Sequence, residues 1–297
     1  MIRYTRYSKI YFVFSLILMI SSILSIIVFG LKPGIDFTGG SILEVEYLKE
    51  RSSIETISEK LSGLDLGSFY IQPTGEKGII IKMKSISEDV HSQIISRLGN
   101  DDNKIEEKRF ESIGPIIGKE LKEKTNIVIL LSLIIMMAYI VIAFKNMRHP
   151  LKSWQCGIST IITLLHDILI PLGVFAVLGR FYGVEVSIPV VTALIIIVGY
   201  AINNTIVVFD RIRENLFKTS GTFEEIVDKS LNQTLLRQLS TSFTTLLTVL
   251  SIFLFGGETL KYFSLTLILG IISGVYSSFF ISAPLLVLWL KWKKRLV

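Results

Sequence analysis

The sequence predicts a membrane protein in which six helices span the bilayer and a small α+β domain follows the first span. Half of the 297 residues are hydrophobic and only 19% are charged. Stretches of apolar residues recur six times along the chain. A hydrocarbon core of roughly 30 Å needs about 20 apolar residues in helical form. One long polar segment, at residues 31–125, separates the first apolar stretch from the others.

The apolar stretches define the predicted spans, which lie at about residues 10–30, 126–144, 154–178, 186–209, 238–256 and 262–290. These stretches are expected to be helical because lipid offers backbone groups no hydrogen-bond partners. The first ends in Gly30–Gly34 without a small-residue cleavage pattern, so it is predicted to be an uncleaved anchor. The resulting domains are residues 1–30, 31–125, 126–290 and a basic tail at 291–297.

Basic residues concentrate at alternate ends of the predicted spans. They are Arg3, Arg6, Lys9, Lys145, Arg148, Lys152, Arg211, Arg213, Lys218, Lys229, Arg237, Lys291, Lys293, Lys294 and Arg295. The other short loops hold only Arg180 and Lys261. Cytoplasmic loops carry the excess of Lys and Arg, so both termini are predicted to be cytoplasmic and residues 31–125 to lie outside. The net charge of +6 therefore requires no nucleic acid as a partner.

Residues 40–112 carry the pattern of a small domain of the order β-α-β-β-α-β. Strands are predicted at about 41–48, 68–72, 78–83 and 104–112, with a turn at Pro73–Glu76. Capping boxes that begin at Ser52 and Ser85 start two helices. Their inward faces are predicted to be Ile54, Ile57, Leu61 and Leu64, and Val90, Ile94 and Leu98. This order is the ferredoxin-like split pattern, and the lone Cys156 leaves the domain without an internal disulfide.

Two glycine-containing segments are interpreted as structural features rather than as ligand-binding loops. The segment Gly114–Glu120 lacks the glycine spacing and the Ser or Thr after lysine that a phosphate loop requires. Nucleotide binding is therefore not expected there. Gly34 and the Gly39-Gly40 pair are interpreted as backbone devices for turns and close approach rather than as a binding loop.

His166 and Asp167 lie about twelve residues into the third predicted span. Ionisable side chains inside a bilayer are costly and are functional candidates for that reason. Because adjacent helical positions diverge by about 100°, the two side chains are not expected to face one point. Asp167 is the stronger proton-pathway candidate, although an aspartate satisfied purely for helix association is the alternative. His166 is interpreted as a packing or hydrogen-bonding residue rather than a proton carrier.

The fourth span contains the amides Asn203 and Asn204 near its cytoplasmic end. A charged turn is predicted after the span, at Asp210–Glu214. Asparagines in spans bond across helices for about 0.6–2 kcal/mol, but they do not take up or release protons near neutral pH. The fifth span offers possible partners for them, namely Arg237, Ser240, Thr244 and Thr248.

In the sixth span small residues recur at every fourth position, namely Gly270, Gly274, Ser278 and Ser282. Such a stripe lets a neighbouring helix approach closely, so a packing role is predicted. Close helix contact of this kind also suits elements that slide.

Several long motifs in this order resemble the SecF family over nearly the whole chain. They are Gly34–Gly40, His166-Asp167, Gly199–Asn215, Asn232–Leu235 with Arg237, Phe255–Glu258, and Tyr276–Ser278 running to Pro284. The resemblance implies half of a transporter of the resistance-nodulation-division type in the bacterial inner membrane, without a cofactor and without covalent catalysis. It implies SecD as the partner subunit, and the SecYEG channel, SecA, YajC, YidC, a translocating preprotein and the lipid bilayer as further partners. It also implies that the proton gradient assists protein export after the ATP-driven step of SecA.

One departure limits what the resemblance implies. The family's proton path includes an aspartate that maps onto Asn204 and an arginine that maps onto Arg237, which is followed here by Gln238 and Leu239. Three explanations stay open. In the first, Asp167 or the SecD partner carries the proton. In the second, the proton coupling is weakened or lost while a scaffold role survives. In the third, the asparagine at position 204 is an engineered substitution. A self-sufficient exporter and an enzyme are disfavoured, because half a transporter, one cysteine and three separated histidines support neither.

Overall fold

The computed structural model describes residues 2–99, 103–144 and 150–295, without the side chains of residues 258, 259 and 293–295. The chain divides into two compact units. One unit comprises Pro33–Ile127, and the other comprises the chain up to Lys32 and from Val128 onward. The basic residues Lys145 and Arg148, and residues 296 and 297 of the predicted basic tail, lie outside the described ranges.

The described chain consists of long helices and, in its polar segment, four strands and shorter helices. In chain order the elements are a 3-10 turn at Thr5–Tyr7, α1 Ser8–Phe29, α2 Ile35–Thr38, β1 Gly40–Tyr47, α3 Ile54–Leu61, β2 Tyr70–Thr74, β3 Gly78–Met83, α4 Glu88–Leu98, β4 Ile105–Ile113, α5 Pro115–Ala143, α6 Ser153–Tyr182, α7 Ile188–Lys218, α8 Phe223–Phe255, α9 Gly257–Ser277, a π-helical turn at Ser278–Ser282, and α10 Ala283–Arg295.

The prediction of six membrane-spanning helices is confirmed within the described chain. Helices long and apolar enough to cross a bilayer lie at Thr5–Phe29, Pro115–Ala143, Ser153–Tyr182, Ile188–Lys218, Phe223–Phe255 and Leu260–Trp292. The last of these is not a continuous α-helix, because the π-helical turn interrupts it between α9 and α10. Apolar runs therefore located the spans but not the interruption in the last one.

The predicted charged turn at Asp210–Glu214 is wrong, because α7 continues through it to Lys218. Ion pairs at helical spacing hold this part of α7. Glu214 accepts from Arg211 at 2.7 Å and from Lys218 at 2.7 Å. The next helix, α8, begins at a capping box. The hydroxyl of Thr222 accepts from the backbone N–H of Glu225, and the carboxylate of Glu225 accepts from the backbone N–H of Thr222. Polar helical turns beyond the hydrocarbon region thus lengthen both helices.

The polar unit contains one antiparallel sheet in its described residues, with the strand order β2-β3-β1-β4. Pro73 lies within β2, where it faces Ile79 of β3, and the turn spans Gly75–Lys77 instead of beginning at Pro73. Since β2 is an edge strand, the missing N–H of Pro73 costs no ladder hydrogen bond. The turn was predicted too early because the sequence does not show that β2 is an edge strand, which accepts a proline.

The two predicted helices of the polar unit, α3 and α4, bury most of their predicted faces against the sheet; the exceptions are Ile54, Leu64 and the partly buried Val90. Ile57, Leu61, Ile94 and Leu98 are fully buried in the core with Leu43 and Ile81. Ile54 remains 37% exposed, and Leu64 lies beyond the end of α3 at Leu61. The apolar face of α3 is therefore one turn shorter than the sequence pattern indicated.

Close backbone approach explains the glycines at the two edges of the polar unit. A Cβ on Gly39, whose φ is +75°, would lie 2.8 Å from the Cα of Pro115. A Cβ on Gly118 would lie 2.8 Å from the backbone N of Gly39. The two glycine motifs therefore pack backbone against backbone, which only a residue without a side chain permits.

The N-terminal segment is tied to the start of α8. The backbone N–H and the hydroxyl of Thr5 donate to the two carboxylate oxygens of the buried Asp228, each at 2.9 Å. The side chain of Asn232 accepts from the N–H of Ile2 at 3.0 Å and donates to its carbonyl at 2.8 Å. Asn232, part of the motif at Asn232–Leu235, thus fixes the chain that leads into α1.

Leu61→Ala is expected to lower the free energy of unfolding of residues 33–127 by about 2–5 kcal/mol, because it leaves a cavity at a fully buried position. Ile54→Ala is the matched control on the same helix and should cost less than half as much. Urea unfolding of residues 33–127, produced as a separate polypeptide, measures both. Equal losses would show that α3 does not bury this face.

Candidate functional site

The candidate site is a buried polar cluster built around Asp167, which lies halfway along the 30-residue helix α6. Its carboxylate is fully buried and accepts three hydrogen bonds. Ser273 donates to Oδ1 at 2.8 Å, and Ser277 donates to Oδ2 at 2.7 Å. The Nδ1 atom of His166 lies 3.0 Å from Oδ1. Two helices, α6 and α9, therefore supply the carboxylate and the donors that surround it.

The expectation that His166 and Asp167 would not face one point is wrong. The two side chains touch, and both contact the hydroxyl of Ser273, which lies 3.3 Å from Nδ1 of His166. Their backbone directions differ as expected for neighbours in a helix. The imidazole is nevertheless long enough to bend back to the carboxylate, and α9 presents Ser273 between them.

Gly274, a small residue on α9, lies beside both the carboxylate of Asp167 and α7. A Cβ on Gly274 would lie 3.6 Å from Oδ2 of Asp167 and 3.3 Å from the Cβ of Ala201 on α7. Gly274 therefore lets α9 approach both α6 and α7 at the level of the carboxylate. Gly270, one turn earlier, packs closely on the side chain of Ile197. Both glycines of the predicted small-residue stripe thus face neighbouring helices.

The rest of that stripe forms the π-helical turn. Ser278 and Ser282 are fully buried, and Ser282 donates to the carbonyl of Ser278 at 2.7 Å. Ser159 of α6 donates to the carbonyl of Ser282 at 2.8 Å. A π-helical turn leaves carbonyl groups without their usual α-helical partners, and here serine hydroxyls occupy two of them.

A second group of buried polar residues lies around Asn204 on α7. The Nε2 group of Gln238 donates to the main-chain oxygen of Asn204 at 2.8 Å, and Ser278 donates to Oε1 of Gln238 at 3.2 Å. Asn204 is only 3% exposed. Its Nδ2 atom has no hydrogen-bond partner among the described residues. Gln238 thus joins α7 to the turn after α9 through a neutral amide.

The four possible partners that the fifth span offers to the amides do not enter the interior where Asn204 lies; they are Arg237, Ser240, Thr244 and Thr248. All four are exposed on the outer side of α8, and the hydroxyls of Thr244 and Thr248 donate to carbonyls of their own helix. Gln238, one position later than Arg237, faces the interior in their place. Asn203, beside Asn204 on α7, is exposed as well.

Sequence reasoning missed three residues of the site, namely Ser273, Ser277 and Gln238. Ser273 and Ser277 are one helical turn apart, so their spacing would have placed them on one face of α9. Gln238 was noted only as a departure from the family pattern. The cluster can hold a charge or a proton inside the bundle, because a carboxylate, an imidazole and hydroxyls meet there away from solvent.

Comparison with known proteins gives consistent matches. Residues 93–292 match the family described as protein export membrane protein SecD/SecF, C-terminal, and residues 24–47 match the SecD/SecF GG motif. The chain is 37% identical to the protein translocase subunit SecF of Thermobaculum terrenum, over 97% of this chain and 94% of that protein. It is 36% identical to the SecF of Vibrio alginolyticus, over 96% and 88% of the two chains.

A solved structure is similar as well. The crystal structure of SecDF, a translocon-associated membrane protein from Thermus thermophilus, superposes with a TM-score of 0.82 at 30% identity. The match covers 98% of the present chain but only 39% of the SecDF chain. The present chain therefore spans about two fifths of the length of that protein.

Gly270→Ala is expected to destabilise the membrane unit by about 1–3 kcal/mol, because the new methyl group overlaps the buried side chain of Ile197. Gly157→Ala on α6 is the control, since its Cβ would meet nothing within 4 Å. Removing a mid-helix glycine there should be neutral or stabilising by about 0.5–1 kcal/mol. Thermal unfolding of the full chain in detergent compares them. A loss for Gly157→Ala equal to that for Gly270→Ala would contradict this account of α9.

Proposed function

Because the chain belongs to the SecD/SecF family of protein export membrane proteins, we propose that it is an accessory subunit of the Sec protein translocase. In this role it works with SecD and assists export across the bacterial cytoplasmic membrane after the ATP-driven step of SecA. SecYEG, YajC and YidC are further partners in the wider translocase, and the translocating preprotein is the substrate. No covalent catalysis and no cofactor are part of this function.

The proton motive force is the proposed energy source, and the buried carboxylate of Asp167 is the observation that carries this proposal. Burying a charge inside a membrane protein is costly, whereas the hydroxyl donors of Ser273 and Ser277 stabilise the charged form. A carboxyl group in this balance can exist with and without a proton. Asn204 has no such chemistry, so Asp167 takes the role that the family assigns to an aspartate at position 204.

SecD is proposed to bind the face of the membrane unit that exposes polar residues. We call this face the SecD-facing surface. Its polar side chains come from Asn203 of α7 and from five exposed residues of α8 at helical spacing, namely Arg237, Ser240, Thr241, Thr244 and Thr248. The exposed side chains of α1 between Ile10 and Ile20 are all apolar and suit lipid, whereas the exposed side of α8 mixes these polar residues with leucines and Phe243. The threonine hydroxyls already donate to carbonyls of α8, so it is Arg237 and Asn203, a charge and an amide that are costly in lipid, that favour a protein partner at this surface.

The polar unit is proposed to be a ferredoxin-like domain on the periplasmic side, with both chain termini in the cytoplasm. The element order β-α-β-β-α-β and the strand order β4-β1-β3-β2 support the domain type. The concentration of Lys and Arg at alternate ends of the spans supports the orientation. This domain is the part of the chain that would meet the exported polypeptide.

A passive scaffold of the SecD-SecYEG assembly is the second candidate function. Two observations favour it: an amide, Asn204, stands where the family's proton path has an aspartate, and Arg237 is exposed while the neutral Gln238 donates to the main-chain oxygen of Asn204. In this alternative the buried polar groups hold helices together and carry no proton.

Asp167→Asn is expected to reduce gradient-dependent release of a preprotein at least about tenfold, as the loss of a proton-transfer group commonly does. The assay uses membrane vesicles that contain the chain, its SecD and the channel, with and without a proton gradient. Asn204→Asp should leave the gradient response unchanged, and Asp65→Asn, on the exposed surface of the polar unit, controls for loss of any carboxylate.

The outcomes separate the two functions. A full gradient response in the Asp167→Asn variant would rule out Asp167 as the carrier. A response that appears only in Asn204→Asp would identify the present chain as a scaffold. No response in any form, including the unaltered chain, would remove the proton-coupled function altogether.

Thr244→Cys, labelled at its thiol with a photoactivatable crosslinker, should crosslink to SecD in membranes on illumination, because Thr244 lies in the SecD-facing surface. Cysteine at Ile17, an exposed apolar position on α1, is the control and should not crosslink. Crosslinked products are separated by size and identified with an antibody against SecD. Equal yields from the two positions, or a higher yield from Ile17, would place the SecD contact elsewhere.

A further inference from the structure

We propose that His166 is the residue through which protons reach and leave Asp167. This inference rests on the proposed proton-coupled function and adds to it a second proton-transfer residue. His166 lies next to the carboxylate, has one ring nitrogen in contact with it, and has the other ring nitrogen buried without a partner in the described part of the protein.

The first step is the contact at Nδ1. This atom lies 3.0 Å from Oδ1 of Asp167, within the distance over which a proton passes along a hydrogen bond. Ser273 holds the pair together, since its hydroxyl lies 2.8 Å from Oδ1 and 3.3 Å from Nδ1. Histidine is suited to the task, because its ring accepts and releases protons near neutral pH.

The second step is the state of Nε2. His166 is fully buried, and its Nε2 atom has no hydrogen-bond partner among the described residues. Buried polar atoms in proteins nearly always have a partner, either protein or ordered water. Buried waters typically bridge polar groups that the protein leaves unsatisfied. Nε2 therefore marks the point at which a bound water meets the ring, on the side opposite to Asp167.

The third step is the orientation of the ring. The ring of Tyr276 on α9 stacks on that of His166, with centroids 5.9 Å apart and an angle of 24° between the planes. Tyr276 is fixed in turn, because its hydroxyl donates to the carbonyl of Tyr11 at 3.1 Å and accepts from Ser15 at 3.2 Å. Among the described residues, the titratable groups in contact with the ring are thus Asp167 from α6 and Tyr276 from α9, and Tyr276 is held by Tyr11 and Ser15 of α1.

The transfer is balanced in both directions. In loading, a hydronium ion gives a proton to Nε2 and remains as water, while Nδ1 gives its proton to Oδ1, so the carboxylate becomes neutral and the ring keeps one proton, now on Nε2. In unloading, the carboxyl proton returns to Nδ1 while Nε2 releases its proton to water. The ring then has its starting tautomer and the carboxylate is charged again. One proton has entered and one has left, and no bond other than those to hydrogen has changed.

The first test observes the tautomer directly at the unaltered site. The protein is labelled with ¹⁵N-histidine, reconstituted into lipid nanodiscs and studied by solid-state NMR between about pH 5 and 9, the range around the ordinary pKa of histidine. The chain has three histidines, and the signals of His166 are those that remain after His91→Asn and His149→Asn.

The proton of His166 is expected to be on Nδ1 when Asp167 is charged and on Nε2 when Asp167 is neutral. Asp167→Asn should abolish this exchange and leave the other two histidines unchanged. One tautomer throughout the pH range in the chain that retains both residues would overturn the proposal. This outcome does not depend on the folding of any variant at position 166 or 167.

The second test measures function in the vesicles that contain SecD and the channel. His166→Asn retains an amide that can bond Asp167 but cannot transfer a proton, so gradient-dependent release should fall at least about tenfold. Release without a gradient should be unchanged. His149→Asn is the matched control and should keep the full gradient response.

The results distinguish this inference from the function on which it rests. A gradient response that persists in His166→Asn while Asp167→Asn abolishes it would overturn the relay and leave the proton-coupled function intact. A gradient response missing from the unaltered chain would overturn both. Failure of His166→Asn to fold, seen as loss of the protein from membranes, transfers the decision to the NMR experiment.

Discussion

The membrane unit is organised around the need to stabilise one buried carboxylate. Asp167 lies at the middle of α6, where transfer of a charge from water is costly. Two hydroxyls of α9 and the imidazole beside it supply donors for its oxygens. Ser273 and Ser277 reach the carboxylate only because α9 packs closely against α6. The small residues of α9 permit this close packing. Gly274 is the position at which a larger side chain would separate carboxylate, α7 and α9.

The π-helical turn after α9 extends this arrangement to the second polar group. Ser277 ends α9 with its hydroxyl on Asp167, and Ser278 begins the turn with its hydroxyl on Gln238. Two successive residues thus contact the carboxylate and the amide that joins α7 to α8. Such turns occur often at functional sites, because they change the direction of side chains within a helix. Adjacent residues of one chain segment thus connect Asp167 with Gln238, which donates to the main-chain oxygen of Asn204.

The elements whose positions depend on composition were predictable from the sequence, and those that depend on local geometry were not. Apolar runs located six spans, and alternating residues located the strands. The charged segment at Asp210–Glu214 was predicted as a turn, because polarity alone does not distinguish a loop from a helix that leaves the membrane. Pro73 was predicted in a turn, because its acceptance in β2 depends on that strand lying at an edge. Each error arose where the neighbouring element decided the outcome.

The sequence by itself determined which chemical groups lie in the spans, how many spans there are, and that an amide stands at position 204. Only the tertiary structure decided which of two adjacent polar residues enters the interior. Asn204 is buried and Asn203 is exposed, and Gln238 is buried and Arg237 is exposed. Neighbouring positions on a helix point about 100° apart, so the rotation of each helix about its own axis selects one of them. That rotation is set by contacts between residues far apart in the chain, such as that of Ile197 on α7 with Gly270 and that of Gln238 on α8 with the main-chain oxygen of Asn204.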